Sequence, residues 1–246
     1  MHVLTFRLEA PLQSWSYLSF WDVRNTSEFP TKSGVLGLLC SCMGWGRDDT
    51  RIPQLSGKIV MGARADRRGI PMRDFHTTQP TFGGKFTKMN GRTDDGNSTI
   101  VSRRDYLQDA SFVVAIHADD DALLDEIQHG LCHPAHTVFL GRKSCIPSAP
   151  FQPQIVNCGS LEEALTNAPR TERSDTGDLP AEIDADAARA DEHSQISTRV
   201  DTLASDFIAR TFVSRKVIVK ALRVPESQTI ETAIPAIKDE EERACI

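Results

Sequence analysis

The hydrophobic pattern changes period twice within the first fifty residues. Residues 3–10, VLTFRLEA, set apolar side chains among Thr5, Arg7 and Glu9, which predicts an opening strand. A loop with Pro11 leads to the aromatic-rich Trp15, Tyr17, Phe20 and Trp21. From Ser33 the spacing becomes helical: Val35, Leu36, Leu38, Leu39 and Met43 give a broad apolar face over 34–44, with Ser33 as the expected N-cap. Gly34 and Gly37 would let that helix approach a sheet or a ligand closely.

Further on, KIVMGARAD (58–66) and MRDFHT (72–77) read as strands joined by the Arg-Arg-Gly turn at 67–69. Residues 80–98 are rich in Gly, Asn, Thr and Lys with few apolar anchors, which predicts a long arm or mobile loop. RDYLQDASFVVAIHA (104–118) reads as one central strand, and Asp119–Asp121 start a helix over ALLDEIQHGL. FLGRKSC (139–145) is a strand or turn. Ser160 and Glu163 form a capping box before a short helix. Residues 170–195 read as a poorly ordered acidic loop, or as a weak surface helix over 181–190. A late strand over 207–224 and a polar tail complete the chain.

The order strand, helix, strand, strand, helix, strand, with an arm in the middle hairpin, is the split βαβ pattern of an α+β, ferredoxin-like fold. We therefore expect one domain over 1–150, with its arm at about 78–103. A less regular, β-containing C-terminal region follows over 151–246, with an acidic loop at 170–200. A fold hosting RNA-recognition modules, enzymes and metal carriers decides no function by itself.

Charge changes the picture of partners. The chain of 246 residues carries net −6, but the segment 171–195 alone holds eight acids against Arg173 and Arg189. The remainder is balanced, and residues 1–112 carry an excess of Lys and Arg. A basic half of this kind suits a polyanion. No run reaches the ~18–20 apolar residues of a membrane span. The N-terminus lacks the basic start of a signal peptide, and the six cysteines form no compact framework, so a cytoplasmic protein with reduced thiols is expected.

Two short stretches carry candidate anion chemistry. FPTKSG (29–34) puts Lys32 and Ser33 at a helix start, as in a phosphate site. It is not a nucleotide P-loop, because no glycine lies between Asp22 and Ser33. GRKS (141–144) joins a glycine to two adjacent cations, Arg142 and Lys143, suited to a nucleic-acid backbone; an ordinary basic turn is the alternative. The arm adds Lys85, Lys88, Arg92, Arg103 and Arg104 with Phe82 and Phe86 interleaved, a composition that can follow a single strand. HGLCHPAH (129–136) brushes against zinc ligation but has no companion ligand pair, so no metal is expected. His76, with Tyr17, Tyr106 or a lysine, could serve a metal-independent ribonuclease, although no spacing brings them together.

Taken together, LEAPLQSW (8–15), FPTKSGVLGLLCSCMGWGRDD (29–49), RDFHT (73–77), TIVSRRDYLQDASFVVAI (99–116) and LGRKSC (140–145) resemble the fifth CRISPR-associated (Cas) protein family in its e-type branch. The resemblance covers about the first 150 residues. It implies an RRM-like RAMP fold with a thumb hairpin, and a non-catalytic RNA-binding subunit of the type I-E Cascade complex. Such a subunit binds the 5′ handle of CRISPR RNA and caps the backbone filament in antiviral defence. It contacts an adjacent backbone subunit and the large PAM-reading subunit. Because c-type relatives cleave, an endoribonuclease processing repeat RNA is the alternative. The resemblance also implies site roles: Lys32 and Ser33 meet the handle, while Arg142, Lys143 and Ser144 form a second backbone clamp. Arg73 and His76 lie near the RNA at the thumb's root. Lys85, Lys88 and Arg103 belong to the thumb, and Arg104 stands at its return. Tyr106 and Asp109 are expected to serve packing and hydrogen bonding. The acidic segment 170–200 and the tail to Ile246 depart from the pattern, and no cofactor is implied.

Overall fold

In the computed structural model, residues 1–16, 22–78, 99–225 and 229–230 are described. The chain opens with strand β1 (His2–Glu9) and the short β2 (Leu12–Gln13) and β3 (Val23–Arg24). Helices α1 (Lys32–Cys42) and α2 (Ile52–Lys58) precede strands β4 (Val60–Arg67), β5 (Ile70–Thr78), β6 (Ile100–Gln108) and β7 (Ser111–His117). Then come α3 (Asp121–Cys132), β8 (Gln154–Asn157), α4 (Leu161–Asn167) and β9 (Arg170–Thr171). Strands β10 (Leu179–Asp184), β11 (Gln195–Leu203), β12 (Phe212–Leu222) and β13 (Thr229–Ile230) follow.

Seven strands form one antiparallel sheet in the order β11-β12-β10-β4-β7-β1-β8. Alternation along each strand feeds two cores. Leu4, Phe6 and Leu8 of β1, with Phe112, Val114 and Ile116 of β7, face the large cluster that includes α1, α2 and α3. Val3, Val113 and Ala115 face the opposite side, where α4 supplies Leu161, Ala164 and Leu165. Ser160 caps α4 by accepting from Glu163 N at 3.1 Å, and the Glu163 carboxylate accepts from Gly159 N.

A second sheet, smaller, aligns β2, β6 and β3, with β5 paired to β6. The expected single strand over 104–118 is broken. Asp109 takes φ 55, so the chain turns out of β6 in the small sheet and enters β7 in the large one. The Asp109 carboxylate fixes that corner, accepting from Arg67 at 3.2 Å and Arg173 at 2.6 Å. β4 and β5 likewise part at Gly69 into different sheets, so they do not form the expected hairpin. The arm is flanked by β5 and β6, which pair as far as Thr78 and Ile100; residues 79–98 lie outside the described residues.

The acidic segment is the largest correction. Instead of a loop or surface helix it supplies β10, inserted between β12 and β4. Glu182 and Asp184 are buried there because cations from the neighbouring strands meet them: Arg199 and Arg215 on Glu182, and Arg215 on Asp184 at 2.5 Å. β10 bonds β4 directly, so the sheet runs without a break from the N-terminal to the C-terminal half. The late strand starts at Phe212, and residues 204–211 are a loop ahead of it.

Candidate nucleic-acid interface

α1 starts two residues earlier than its sequence suggested. Thr31 is the N-cap, in an extended conformation and without a side-chain cap bond, and Ser33 lies inside the first turn. Lys32 points inward. Its backbone N–H donates to Asp201 Oδ2 at 2.9 Å, while Nζ donates to Ile59 O at 2.7 Å and stands 3.6 Å from Asp184 Oδ2. Burial pushes the ammonium below its ordinary pKa; Asp184 and Asp201 oppose the shift, and Arg215 adds to it. The expected phosphate contact of Lys32 is therefore overturned. The Asp201 carboxylate of β11 fills the N–H at this helix start, and the lysine serves as an internal counter-charge to Asp184.

Ser33 keeps a place at the site. It lines a cleft of ≈ 530 Å3 together with Gly37 of α1, and with Gly141 and Lys143 of the 140–145 turn. The two sequence motifs thus meet across one depression. Gly141 allows this: its φ is 96, and a Cβ there would stand 1.7 Å from Ser14 O. The turn is fixed by Leu140 N to Cys145 O at 2.7 Å and Ser14 N to Leu140 O at 3.1 Å.

Within the turn the two cations divide their duties. Arg142 is half-buried and donates to the carbonyls of Asp105 (3.0 Å), Arg24 (2.8 Å) and Asn25 (3.4 Å), with its guanidinium 4.6 Å over the Tyr106 ring. That geometry ties the turn to β6 and β3 and leaves Arg142 a positioning residue. Lys143 and Ser144 are exposed, and the Ser144 hydroxyl lies 3.5 Å from that of the buried Tyr106.

The cations at the cleft differ from the buried arginines. Arg7, Arg64, Arg67 and Arg215 each hold a carboxylate at 2.5–2.7 Å. Arg47, Lys143 and Arg210, all at the cleft, form no ion pair among the described residues, and no Asp or Glu lines it. Arg24 of β3 pairs in register with Arg104 of β6. Burial, and then repulsion from Arg104, Arg142 and Arg210, pushes Arg24 below its ordinary pKa. These couplings bring cations of the small sheet and of the cleft's loops within electrostatic reach of one another.

On β5 the expected residues separate by parity. Arg73 is exposed and grips Asp105, its cross-strand partner, through two bonds of 2.6 and 3.0 Å. His76 is on the other face, half-exposed, with Nδ1 3.7 Å from Asp74 Oδ2. It sits opposite Ser102, whereas Tyr106 lies opposite Met72, four residues along the ladder or ~13 Å away. His76 and Tyr106, which no sequence spacing brought together, stay apart in the fold as well. Arg103 is exposed across from Phe75, itself 63% exposed, a cation and aromatic pair that sequence reading missed. Lys85 and Lys88 lie outside the described residues. Arg47, Phe207 and Arg210 were also missed; Arg47 stood in the quoted GWGRDD stretch, but only the folded chain turns it to the cleft.

The thiols give no separate chemistry at the cleft. Cys40 and Cys42 are both buried, and burial pushes each up to about 12. The His129 and His133 ring centroids lie 4.7 Å apart in a tilted arrangement, and His136 lines the cleft. Among the described residues no three His, Cys, Asp or Glu side chains gather as a metal site, and no helix is long and apolar enough to cross a membrane.

A mixed α/β protein with antiparallel sheets and a cationic cleft is the class so defined. Residues 3–224 match the family model described as CRISPR-associated protein (Cas_Cas5), and the chain belongs to that family. It is 33% identical over 179 residues to the CRISPR system Cascade subunit CasD of Escherichia coli (strain K12), covering 67% of this chain and 75% of that one. A solved chain described as a crystal structure of a Cas protein is 30% identical, with a TM-score of 0.66, covering 93% of this chain and 98% of that one. A chain of a CRISPR RNA-guided surveillance complex shares the fold at a TM-score of 0.75 and 23% identity, covering 98% and 97%.

Proposed function

We propose that this protein is a non-catalytic subunit of a type I-E Cascade complex, holding the single-stranded 5′ handle of CRISPR RNA. The observation that carries the reading is the convergence of the 29–34 and 140–145 motifs on one cleft whose cations pair with no carboxylate among the described residues. In this reading Ser33, Arg47 and Lys143 hold sugar-phosphate, while Arg104 and Arg24 extend the track onto the small sheet. The strand order β8-β1-β7-β4, with α1 and α3 as crossovers, supports the ferredoxin-like, RRM-like assignment of the N-terminal part. The arm that leaves from β5 and returns at β6 is then the thumb, with Phe75 and Arg103 at its root and Lys85 and Lys88 within it. Relatedness to CasD supports the further assignment of a neighbouring backbone subunit and the large PAM-reading subunit as partners.

The test is binding of the full-length protein to repeat-derived single-stranded RNA across a salt series. Exchanging Arg47 and Lys143 for alanine together should weaken binding and reduce the dependence of log Kd on log salt by about 1.4, at ~0.7 per phosphate for a single strand. An unchanged affinity and slope would remove the cleft from the RNA path. Incubation of labelled repeat RNA in EDTA separates the endoribonuclease reading: one specific cut, lost in His76→Ala, would replace the non-catalytic assignment.

A further inference from the structure

The loop between β11 and β12 comes from the part of the chain where the motif resemblance ends, yet it forms one wall of the cleft. Phe207 lies over Gly37 of α1, where a Cβ would stand 3.4 Å from the ring Cζ. The loop is tied to the facing wall by Phe207 N donating to Arg47 O at 3.0 Å. It is also braced from within. The Asp206 carboxylate accepts from Ile208 N and Ala209 N at 2.8 and 2.7 Å, and Ser205 Oγ accepts from Thr211 N at 2.9 Å. Arg210 takes φ 52, and its Nε donates to the Phe207 backbone carbonyl at 3.3 Å, which ties the guanidinium to the same loop. Arg210 is exposed and has no carboxylate partner among the described residues, while its charge reaches Arg24.

We infer that residues 205–211 are the second jaw of the cleft: a base of the bound RNA strand stacks on Phe207, and Arg210 neutralises the adjoining phosphate. The inference rests on the RNA-strand reading above and adds the part contributed by the C-terminal sheet. An aromatic ring partly open to a cationic groove is what a sequence-tolerant stacking platform requires. Gly37 leaves the space beneath the ring that any larger residue would fill. The internal hydrogen bonds mean that little ordering remains to be done when the strand arrives.

The test uses the full-length protein and repeat-derived single-stranded RNA carrying 2-aminopurine at one position at a time. Wild type should quench the fluorescence at one position through stacking. Phe207→Leu keeps the apolar contact with α1 but removes the ring. It should abolish that quenching and raise Kd by about 5- to 100-fold, while Phe207→Tyr restores both. Arg210→Ala should lower the salt slope by about 0.7. Circular dichroism melts that match wild type exclude a folding defect, and any variant that melts early is replaced by the tyrosine comparison alone. If wild type binds and Phe207→Leu keeps both quenching and affinity, the loop is not a jaw although the cleft still binds RNA. If wild type binds no RNA at any salt concentration, the RNA-strand reading fails, and this inference with it.

Discussion

Lys32 Nζ and Asp184 Oδ2 stand 3.6 Å apart, both buried, linking the first turn of α1 to a strand more than 150 residues later. The lysine of a motif that reads as a phosphate site is thus a joint between the N-terminal helix and the acidic C-terminal strand. Lys32→Ala should lower stability by about 2–4 kcal/mol, from lost packing and an unpaired Ile59 carbonyl. Measured well below the melting midpoint, it should leave the salt slope of RNA binding unchanged. A lowered slope with an unaltered melt would return Lys32 to the interface.

The 140–145 turn separates structure from binding in adjacent residues. Arg142→Ala should cost about 2–3 kcal/mol in urea unfolding, because three backbone carbonyls lose a charged donor and Tyr106 loses its cation. Lys143→Ala, an exposed change, should stay within ~0.5 kcal/mol of wild type while weakening RNA binding. Equal effects of the two on stability would contradict this division.

Arg215 is the hub of the C-terminal network, bonded to Asp201, Asp184 and Glu182. Burial lowers its pKa, but Asp201 and Asp184 outweigh burial and push it above the ordinary value. Arg215→Ala takes the cation from Asp201 and leaves Glu182 and Asp184 with only Arg199 and Lys32, and should destabilise by about 3–5 kcal/mol. Chemical denaturation measures it directly. A negligible change would mean that the acids stay solvated and that β10 does not sit where described.

The Arg73–Asp105 pair makes a pH prediction. Hydrogen bonding to Arg73, the leading cause, holds the Asp105 carboxyl below its ordinary 3.8. With the folded value depressed, the pair stabilises fully above the unfolded carboxylate range and is lost as pH falls through the folded value. Thermal melts of wild type and Arg73→Ala should therefore differ most near neutral pH and converge in strong acid, with the gap narrowed by salt because the pair is partly exposed. Parallel curves at every pH would show that the pair does not couple to folding.

Local pattern settled much of this molecule. Alternation fixed β1, helical spacing located α1 to within two residues, and Ser160 with Glu163 marked the start of α4, because each signal depends on neighbours a few positions away. The family motifs pointed to Ser33 and the Gly-Arg-Lys-Ser turn, and folding sets these two stretches across one cleft. What the sequence could not decide was how charge is spent. Whether Lys32, Arg142 or Asp184 faces water or an internal partner depends on groups 27 to 169 residues away along the chain. The acidic segment looked solvated because its cations, Arg199 and Arg215, come from later strands. The cleft's far wall, Phe207 and Arg210, exists only because β11 and β12 extend the sheet far enough to fold a loop back over α1. Composition and period determine which elements form; burial energy, which no short window contains, decides which of their charges remain free to meet a ligand.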